Sequence, residues 1–217
     1  MIKGLIFDLD GVIVDTAKFH FTAWRELANE LGFDLSQEQN ELLKGVSRVD
    51  SLNQILSWGG VSLSDSEKDK ALIKKNNRYL DLCEGLSSAD CLPGVIEILA
   101  EAAEMDIKLA LGSASKNAKL ILRKLQIISA FDIIVDGTMT GKGKPDPEVF
   151  LKGAEALELE PWQIIVFEDA EKGIEAARNG GFFSVGVGDK EVLGKANMVI
   201  KGFEGFHIKT IISDIKA

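Results

Sequence analysis

Short apolar runs, each ended abruptly by polar residues, recur along the chain and constrain its fold more than any other feature. The first run, Ile2 to Phe7, is rich in strand-forming residues and stops at Asp8. Runs of this kind, without polar alternation, are typical of strands buried on both faces of a sheet. Similar runs are Ile107 to Leu111, Ile133 to Val135, Ile164 to Phe167, Phe182 to Val187 and Met198 to Ile200.

Amphipathic segments separate most of these runs. Their apolar residues lie three and four positions apart, as in helices that cover one face of a sheet. The segments are Val95 to Ala103, Ala118 to Leu125, Glu148 to Leu157 and Glu171 to Asn179. Strands that alternate with helices favour a parallel sheet with right-handed crossovers. We therefore predict an α/β fold with a doubly wound, Rossmann-like parallel sheet as its core.

The strand signal is absent between about Thr16 and Glu84, where helical patterns replace it. Serine residues there have the spacing of helix caps, and two of them have the partner of a capping box three positions later. These starts are Ser36 with Gln39, Ser64 with Glu67, and Ser47, whose helix is expected to reach Trp58. We predict a discontinuous α/β core of residues 1–14 and 85–217, interrupted by a small α-helical cap domain of residues 15–84.

Composition limits the partners and the location. The formal net charge of −9 opposes broad attraction to nucleic acid or to an anionic membrane, so neither is expected as a partner. Cys83 and Cys91 have no metal-ligand or redox spacing, which indicates reduced thiols. The apolar runs are shorter than the roughly 20 residues of a membrane span, and the N-terminus lacks the pattern of a signal peptide. We therefore expect a cytoplasmic protein, and a monomer.

Polar side chains follow the carboxyl ends of the predicted strands, the edge at which open parallel sheets bind ligands. Strand by strand they are Asp8 with Asp10, the stretch from Ser113 to Asn117, Lys144, and Glu168 with Asp169. Because these strand ends share one edge of the sheet, we expect carboxylates, a hydroxyl group and a lysine to face one crevice.

Carboxylates at such an edge suit Mg²⁺, which takes oxygen ligands and keeps several of its waters. We predict a magnesium site formed by Asp8, Asp10, Glu168 and Asp169. A carboxylate held against Mg²⁺ stays ionised despite burial, so Asp8 is the expected nucleophile toward phosphorus. Acidic neighbours are expected to raise the pKa of Asp10, which suits a general acid and base.

Phosphoryl transfer also needs donors for the phosphate. Ser113 offers a hydroxyl group and Lys144 a point charge, while the segment from Ser115 to Asn117 lies at a predicted helix start, where free N–H groups favour an anion. Each feature alone has a simpler explanation, such as a turn, a helix cap or a solvated lysine. A calcium-binding EF-hand loop fails, because Val12 and Phe19 stand where oxygen ligands are needed. Only the joint pattern, with all of these residues at successive strand ends, favours phosphoryl transfer.

Four motifs carry a resemblance to the haloacid dehalogenase-like superfamily of phosphotransferases. They are DLDGVIVDT from Asp8, LGSASKN from Leu111, GKPDPEVF from Gly143 and VFEDA from Val166. The helical insertion after the first motif is similar to the small α-helical cap of one class in that superfamily. The resemblance implies an Mg²⁺-dependent mechanism through an aspartyl phosphate.

The insertion resembles that of the beta-phosphoglucomutase family, through LKGVSRVDS from Leu43 and HFTAW from His20. This implies interconversion of beta-glucose 1-phosphate and glucose 6-phosphate through beta-glucose 1,6-bisphosphate, with a small phosphorylated sugar as partner. It further implies that Arg48 clamps the second phosphate together with the segment from Ser115, and that His20 positions Asp10. The substrate-binding residues implied are Ser113, Ala114, Ser115, Lys116, Asn117, Lys144, Arg48, Gly45, Val46, His20, Trp24, Lys44, Ser51 and Lys75.

Two other functions stay open at this point. A magnesium-dependent sugar-phosphate phosphatase would use the same core residues but would depend less on Arg48, because it holds a single phosphate. A non-enzymatic phospho-receiver switch also clusters aspartates at the strand ends of a parallel sheet. The length of the chain and the helical insertion argue against the receiver.

Overall fold

A parallel six-stranded sheet forms the centre of the computed structural model, which describes residues 1–216. The strands are β1 Gly4–Phe7, β2 Lys108–Gly112, β3 Ile133–Val135, β4 Ile164–Glu168, β5 Phe183–Val187 and β6 Met198–Ile200. Their order across the sheet is β3-β2-β1-β4-β5-β6, and all neighbours are parallel. The chain thus winds outward from β1 in one direction and from β4 in the other. The predicted doubly wound sheet is confirmed.

The register brings the carboxyl ends of the central strands to one level. Phe7 of β1 is paired with Leu111 of β2 on one side and with Phe167 of β4 on the other. The residues that follow therefore leave the sheet side by side, and the Asp8 N–H donates to the Phe167 carbonyl at 3.0 Å. This places Asp8 next to Glu168 although the two are far apart in the chain.

Helices surround the sheet. They are α1 Ala17–Glu30, α2 Gln37–Glu41, α3 Arg48–Gly59, α4 Asp65–Leu82, α5 Val95–Glu104, α6 Ala118–Lys124, α7 Glu148–Leu157, α8 Glu171–Asn179, α9 Lys190–Leu193 and α10 Ile208–Lys216. Successive residues of β1 face opposite sides of the sheet, as expected for a strand. Leu5 and Phe7 pack in one apolar cluster with α5 and α6, and Ile6 packs in another with α7. Both faces of the sheet are therefore covered.

The first four helices lie between β1 and α5 and have an apolar cluster of their own. Trp24 of α1, Ile55 of α3 and Ala71 of α4 belong to this cluster, which is separate from the two clusters at the sheet. We call α1 to α4 the four-helix unit. The division of the chain into a core of residues 1–14 and 85–217 and a cap domain of residues 15–84 stays a prediction.

The helix starts in the four-helix unit follow the predicted caps. The hydroxyl groups of Ser36, Ser47 and Ser64 each accept a hydrogen bond from the backbone N–H three residues later. The helix that begins after Ser47 runs to Gly59, one residue beyond the predicted end, and the left-handed Gly60 terminates it at φ 62°. Among the described residues, no helix is both long enough and apolar enough to span a membrane.

Candidate active site

A pocket opens between the carboxyl edge of the sheet and the four-helix unit. Most of the predicted site residues line it: Asp8, Asp10, His20, Trp24, Lys44, Gly45, Val46, Arg48, Ser51, Lys75, Ser113, Ala114, Ser115, Lys116 and Asp169. Ala17, Asn40 and Leu43 also line the pocket and were not predicted. The remaining predicted residues, Asn117, Lys144 and Glu168, do not belong to the lining.

Lys144 lies beneath the pocket and joins two acidic residues. Its Nζ is 2.6 Å from Asp8 Oδ1 and 2.5 Å from Glu168 Oε1, and its side chain is 1% exposed. Burial alone would lower the pKa of Lys144, but the carboxylates of Asp8 and Glu168 outweigh burial and raise it. Lys144 therefore stays charged, and it fixes the orientation of the Asp8 carboxylate.

Both oxygens of Glu168 are already engaged. Oε1 accepts from Lys144, and Oε2 accepts from the Ala170 N–H at 2.7 Å. Burial raises the pKa of Glu168, and Lys144 opposes this rise. A Cβ at Gly173 would lie 1.8 Å from Glu168 Oε1, so only glycine leaves room for the carboxylate at this point of α8. Glu168 is thus a buried anchor for Lys144.

Asp169 faces the pocket from the end of β4. Gly11 has φ 82°, and a Cβ there would lie 2.2 Å from Asp169 Oδ2, so glycine permits the loop after β1 to approach this carboxylate closely. Burial, then the charges of Glu168 and Asp8, raise the pKa of Asp169 well above its usual value. Lys44 Nζ lies 3.7 Å from Asp169 Oδ2. The crowding of negative charge at this point favours a bound cation.

The carboxylates at this point suit Mg²⁺, which takes only some of its ligands from the protein, better than a metal ion that takes all of its ligands from side chains. Across residues 1–216, no three histidine, cysteine, aspartate or glutamate side chains converge closely enough to hold an ion by themselves. Mg²⁺ commonly uses one or two carboxylates together with waters and substrate phosphate. Asp8 and Asp169 offer such a pair, because Asp8 Oδ2 makes no hydrogen bond within the described residues.

Asp10 lies in the pocket beside the end of β1. The Thr16 hydroxyl donates to Asp10 Oδ1, and His20 Nε2 lies 3.9 Å from the same oxygen. Burial, and then the negative charge of Asp8, raise the pKa of Asp10 to about 6, while the Thr16 hydrogen bond opposes the rise. A carboxyl group with this pKa exchanges its proton near neutral pH, as predicted for a general acid and base.

Lys75 reaches His20 from α4. Lys75 Nζ lies 2.7 Å from His20 Nδ1 and 4.4 Å from the centre of the Trp24 ring. Burial, and then the charge of Arg48, lower the pKa of Lys75 to about 7. Burial and the charge of Lys75 also lower the pKa of His20 well below its usual value. A neutral His20 that accepts at Nδ1 presents its N–H at Nε2, on the side of Asp10.

The loop from Ser113 to Asn117 forms the end of the pocket beyond β2. The Ser113 hydroxyl accepts from the Ser115 N–H at 3.1 Å, and the Ser115 hydroxyl accepts from the Asn117 N–H at 3.2 Å. The N–H groups of Ala114 and Lys116 make no hydrogen bond within the described part of the chain. They are available to an anion.

Asn117 is directed away from the pocket lining. Its side-chain amide donates to Asn76 Oδ1 of α4 at 2.9 Å, and so joins the loop beyond β2 to the four-helix unit. Arg48, at the first position of α3, lines the pocket from the four-helix unit and has no ion pair among the described residues. The pocket lining therefore combines the carboxylates of Asp8 and Asp169 with a guanidinium group that has no carboxylate partner.

Comparisons with known proteins agree with this geometry. A family model described as haloacid dehalogenase-like hydrolase matches residues 5–187. The chain is 43% identical to beta-phosphoglucomutase of Bacillus subtilis over 92% of this chain and 89% of that protein. It is 32% identical to a phosphorylated carbohydrates phosphatase of Thermotoga maritima, over 82% of each chain.

Solved structures give the same result. The crystal structure of beta-phosphoglucomutase from Clostridium difficile superposes with a TM-score of 0.97 at 43% identity, covering 100% of this chain and 98% of that one. The resemblance that the motifs predicted is therefore confirmed.

Proposed function

The chain belongs to the haloacid dehalogenase-like hydrolase family, and on that premise we propose that it is a phosphosugar mutase. The proposed reaction interconverts beta-glucose 1-phosphate and glucose 6-phosphate. The observation that carries the proposal is a single pocket lined both by Asp8 and by Arg48, a cation without a carboxylate partner among the described residues. A mutase passes through a bisphosphate and has to hold two phosphates at once. A phosphatase needs to hold only the phosphate at Asp8.

Asp8 is the proposed nucleophile. Its carboxylate attacks phosphorus, a bond to an Asp8 oxygen forms, and the bond from phosphorus to the sugar oxygen breaks. Lys144 holds the carboxylate in a fixed orientation, because its ammonium group donates to Asp8 Oδ1 at 2.6 Å. The Ser113 hydroxyl, on the pocket wall, is the proposed donor to the transferring group. Return of the phosphoryl group to a sugar hydroxyl restores free Asp8.

Mg²⁺ is the proposed cofactor, held by the carboxylates of Asp8 and Asp169. The crowding of buried negative charge at these two residues supports the assignment. When bound, Mg²⁺ supplies positive charge that offsets the charge of the transferring phosphoryl group. Asp10 and Glu168, also predicted as ligands, already accept hydrogen bonds from Thr16 and from Lys144 and Ala170. We assign these two a supporting place around the metal.

Asp10 is the proposed general acid and base. It takes the proton of the sugar 6-hydroxyl as that oxygen attacks phosphorylated Asp8, which yields beta-glucose 1,6-bisphosphate. It later returns a proton when the anomeric oxygen leaves. Acid and base catalysis of this kind is typically worth about 10²- to 10⁴-fold in rate. His20 and Thr16 lie against Asp10 and are proposed to hold it in place.

Arg48 and the loop beyond β2 are proposed to hold the phosphate that is not reacting. A guanidinium group presents a planar fork that matches phosphate oxygens, and Arg48 has no competing carboxylate among the described residues. The segment from Ser115 to Asn117, in which the Lys116 N–H makes no hydrogen bond within the described residues, is proposed to complete this distal site. Sugar contacts are proposed for Lys44, Gly45, Val46, Ser51 and Trp24, which all line the pocket. The monomeric state and the cytoplasmic location stay predictions.

A coupled assay tests the proposal. Formation of glucose 6-phosphate from beta- and from alpha-glucose 1-phosphate is measured with a trace of bisphosphate, and release of inorganic phosphate is followed in parallel. We expect isomerisation of the beta anomer with little phosphate release, and loss of both in Asp8→Asn. Rapid phosphate release without glucose 6-phosphate would favour the second candidate, a sugar-phosphate phosphatase. A stable phosphoenzyme with neither product, after incubation with acetyl phosphate, would indicate a receiver.

A further inference from the structure

Among the described residues of the short helix α2, Asn40 alone is buried, and it lines the pocket together with Leu43. We propose that Asn40 is a specificity-determining residue, whose side-chain amide binds a ring hydroxyl of the sugar. This inference rests on the proposed phosphosugar substrate and deepens it, because it assigns a contact to the uncharged part of that substrate.

The amide of Asn40 has no partner in the protein. Its side chain makes no hydrogen bond within the described residues, although Asn40 is only 7% exposed. In the same part of the chain, the Tyr79 hydroxyl is the one polar side-chain atom that is both fully enclosed and without a partner. The amide atoms of Asn40 are therefore open to the pocket rather than sealed. An amide buried this far without a partner is costly in free energy, so a ligand group is expected to complete its hydrogen bonds.

The backbone that carries this amide is fixed. The Asn40 N–H donates to the Ser36 carbonyl at 3.1 Å, and the Asn40 carbonyl accepts from the Leu43 N–H at 3.0 Å. Leu43 belongs to the apolar cluster of the four-helix unit. The nearby Lys44 is held by Glu41 Oε2 at 2.8 Å. Asn40 therefore presents a neutral polar group from a rigid position, which suits the recognition of a substrate.

The chemistry of the amide favours a hydroxyl group over a phosphate. An amide has two N–H donors and a carbonyl acceptor, and a hydroxyl group can match both because it donates and accepts. Ionised phosphate oxygens only accept, and the guanidinium group of Arg48 is available to them in the same pocket. A sugar that lacks the matching hydroxyl would leave the buried amide unpaired. Asn40 should therefore discriminate among sugars by their ring hydroxyls.

The test combines Asn40→Ala with substrates that lack one hydroxyl. The probes are beta-glucose 1-phosphate and its 2-, 3- and 4-deoxy analogues, and kcat/KM for isomerisation is measured with each. We expect Asn40→Ala to lower kcat/KM for beta-glucose 1-phosphate about 10-fold, and one deoxy analogue to lower it about as much in the natural protein. The two losses should not add, because the second change removes a contact that is already absent. Asn53→Ala, at an exposed position of α3 outside the pocket lining, is the control and should leave all four values unchanged.

Two further measurements separate this role from a structural one. Phosphoenzyme formation from acetyl phosphate, which has no sugar, should be retained in Asn40→Ala. Urea unfolding of Asn40→Leu, which keeps the branched shape of the side chain, should show a stability equal to or above that of the natural protein, because no protein contact of the amide is lost. A lower stability of Asn40→Leu, or an equal loss with acetyl phosphate in Asn40→Ala, would overturn the proposal.

The kinetic comparison is decisive in the same way. An unchanged kcat/KM in Asn40→Ala, or losses that add fully with every deoxy analogue, would overturn the proposal. If Asn40→Ala does not fold, Asn40→Leu takes its place with the same four substrates and the same criteria. If the natural protein releases phosphate and forms no glucose 6-phosphate, the proposed mutase fails. The coupling between Asn40 and the missing hydroxyl is then read from kcat/KM for phosphate release.

Discussion

Lys144 Nζ lies 2.6 Å from Asp8 Oδ1, and the two residues are 136 positions apart in the chain. Glu168 holds the same ammonium group from the other side at 2.5 Å, so one buried cation stands between two buried carboxylates. A buried ion pair adds little net stability over an apolar replacement of both partners, but removal of one partner leaves an uncompensated charge. The arrangement of Asp8, Lys144 and Glu168 therefore serves to orient Asp8 rather than to add stability.

Lys144→Met is expected to destabilise the protein by about 3 to 5 kcal/mol at pH 7, because Asp8 and Glu168 remain buried without their cation. The loss should be smaller at pH 5, since protonation of a carboxyl group then removes the uncompensated charge. Urea unfolding of Lys144→Met and of the natural protein at pH 7 and pH 5 measures this loss of stability. The matched control is Lys142→Met, whose side chain is 74% exposed beside Asp146, and it should change stability by less than about 0.5 kcal/mol. Equal stability of both variants would contradict the prediction.

The sheet could be predicted from the sequence because its signal is local. The apolar runs predicted most strand ends to within one residue. Strand β4 extends one residue further than predicted, to Glu168, because Glu168 still pairs with Gly186 of β5. The helix α10 was not predicted, although Ile208, Ile211 and Ile212 have helical spacing. The helix α10 packs near α5, and a contact between such distant segments cannot be predicted from the local sequence pattern.

The candidate site could be predicted in its residue types and less well in its contacts. Lys144 and Glu168 were expected in the pocket but do not line it; they are buried, and Lys144 joins Glu168 to the lining residue Asp8. Asn117 turns toward Asn76, a partner contributed by a distant helix. Contacts of this kind depend on how separate elements meet. Thr16 belongs to the first motif, yet only the structure shows its bond to Asp10.

Lys75 gives a prediction for the pH dependence of stability. Its pKa falls from 10.5 to about 7 in the folded protein, so between these values the unfolded chain binds more protons than the folded one. The stability of the natural protein should therefore rise with pH over this range relative to Lys75→Met, which lacks the group. We expect the difference between the two free energies of unfolding to change by roughly 3 kcal/mol from pH 6 to pH 9.

Urea unfolding at several pH values between 6 and 9 measures the dependence on Lys75. Lys74→Met serves as control, because the neighbouring Lys74 is 63% exposed and pairs with Glu30 at the surface. The difference between the control and the natural protein should not depend on pH in this range. If the difference between Lys75→Met and the natural protein were also independent of pH, folding would not lower the pKa of Lys75, and the prediction would be wrong.

Mg²⁺ should stabilise the folded protein through Asp169. A ligand that binds only the folded state adds about 2.7 kcal/mol at a free concentration of 100 times its Kd. We expect Mg²⁺ to raise the Tm of the natural protein and to have little effect on the Tm of Asp169→Asn, in which one proposed ligand loses its charge. Asp65→Asn, in the exposed first turn of α4, should keep the full effect. An equal Tm rise in Asp169→Asn would exclude this residue as a ligand.

Arg48 should decide whether the chain acts as a mutase or as a phosphatase. Arg48→Ala removes the proposed charge-assisted hydrogen bonds to the non-reacting phosphate, worth about 1.5 to 3 kcal/mol, so kcat/KM for glucose 6-phosphate formation should fall about 10- to 100-fold. Phosphoenzyme formation from acetyl phosphate, which has no second phosphate, should be retained. Arg78→Ala is the control, because Arg78 is 42% exposed, pairs with Glu26 and does not line the pocket. An unchanged kcat/KM for glucose 6-phosphate formation in Arg48→Ala would refute the distal site.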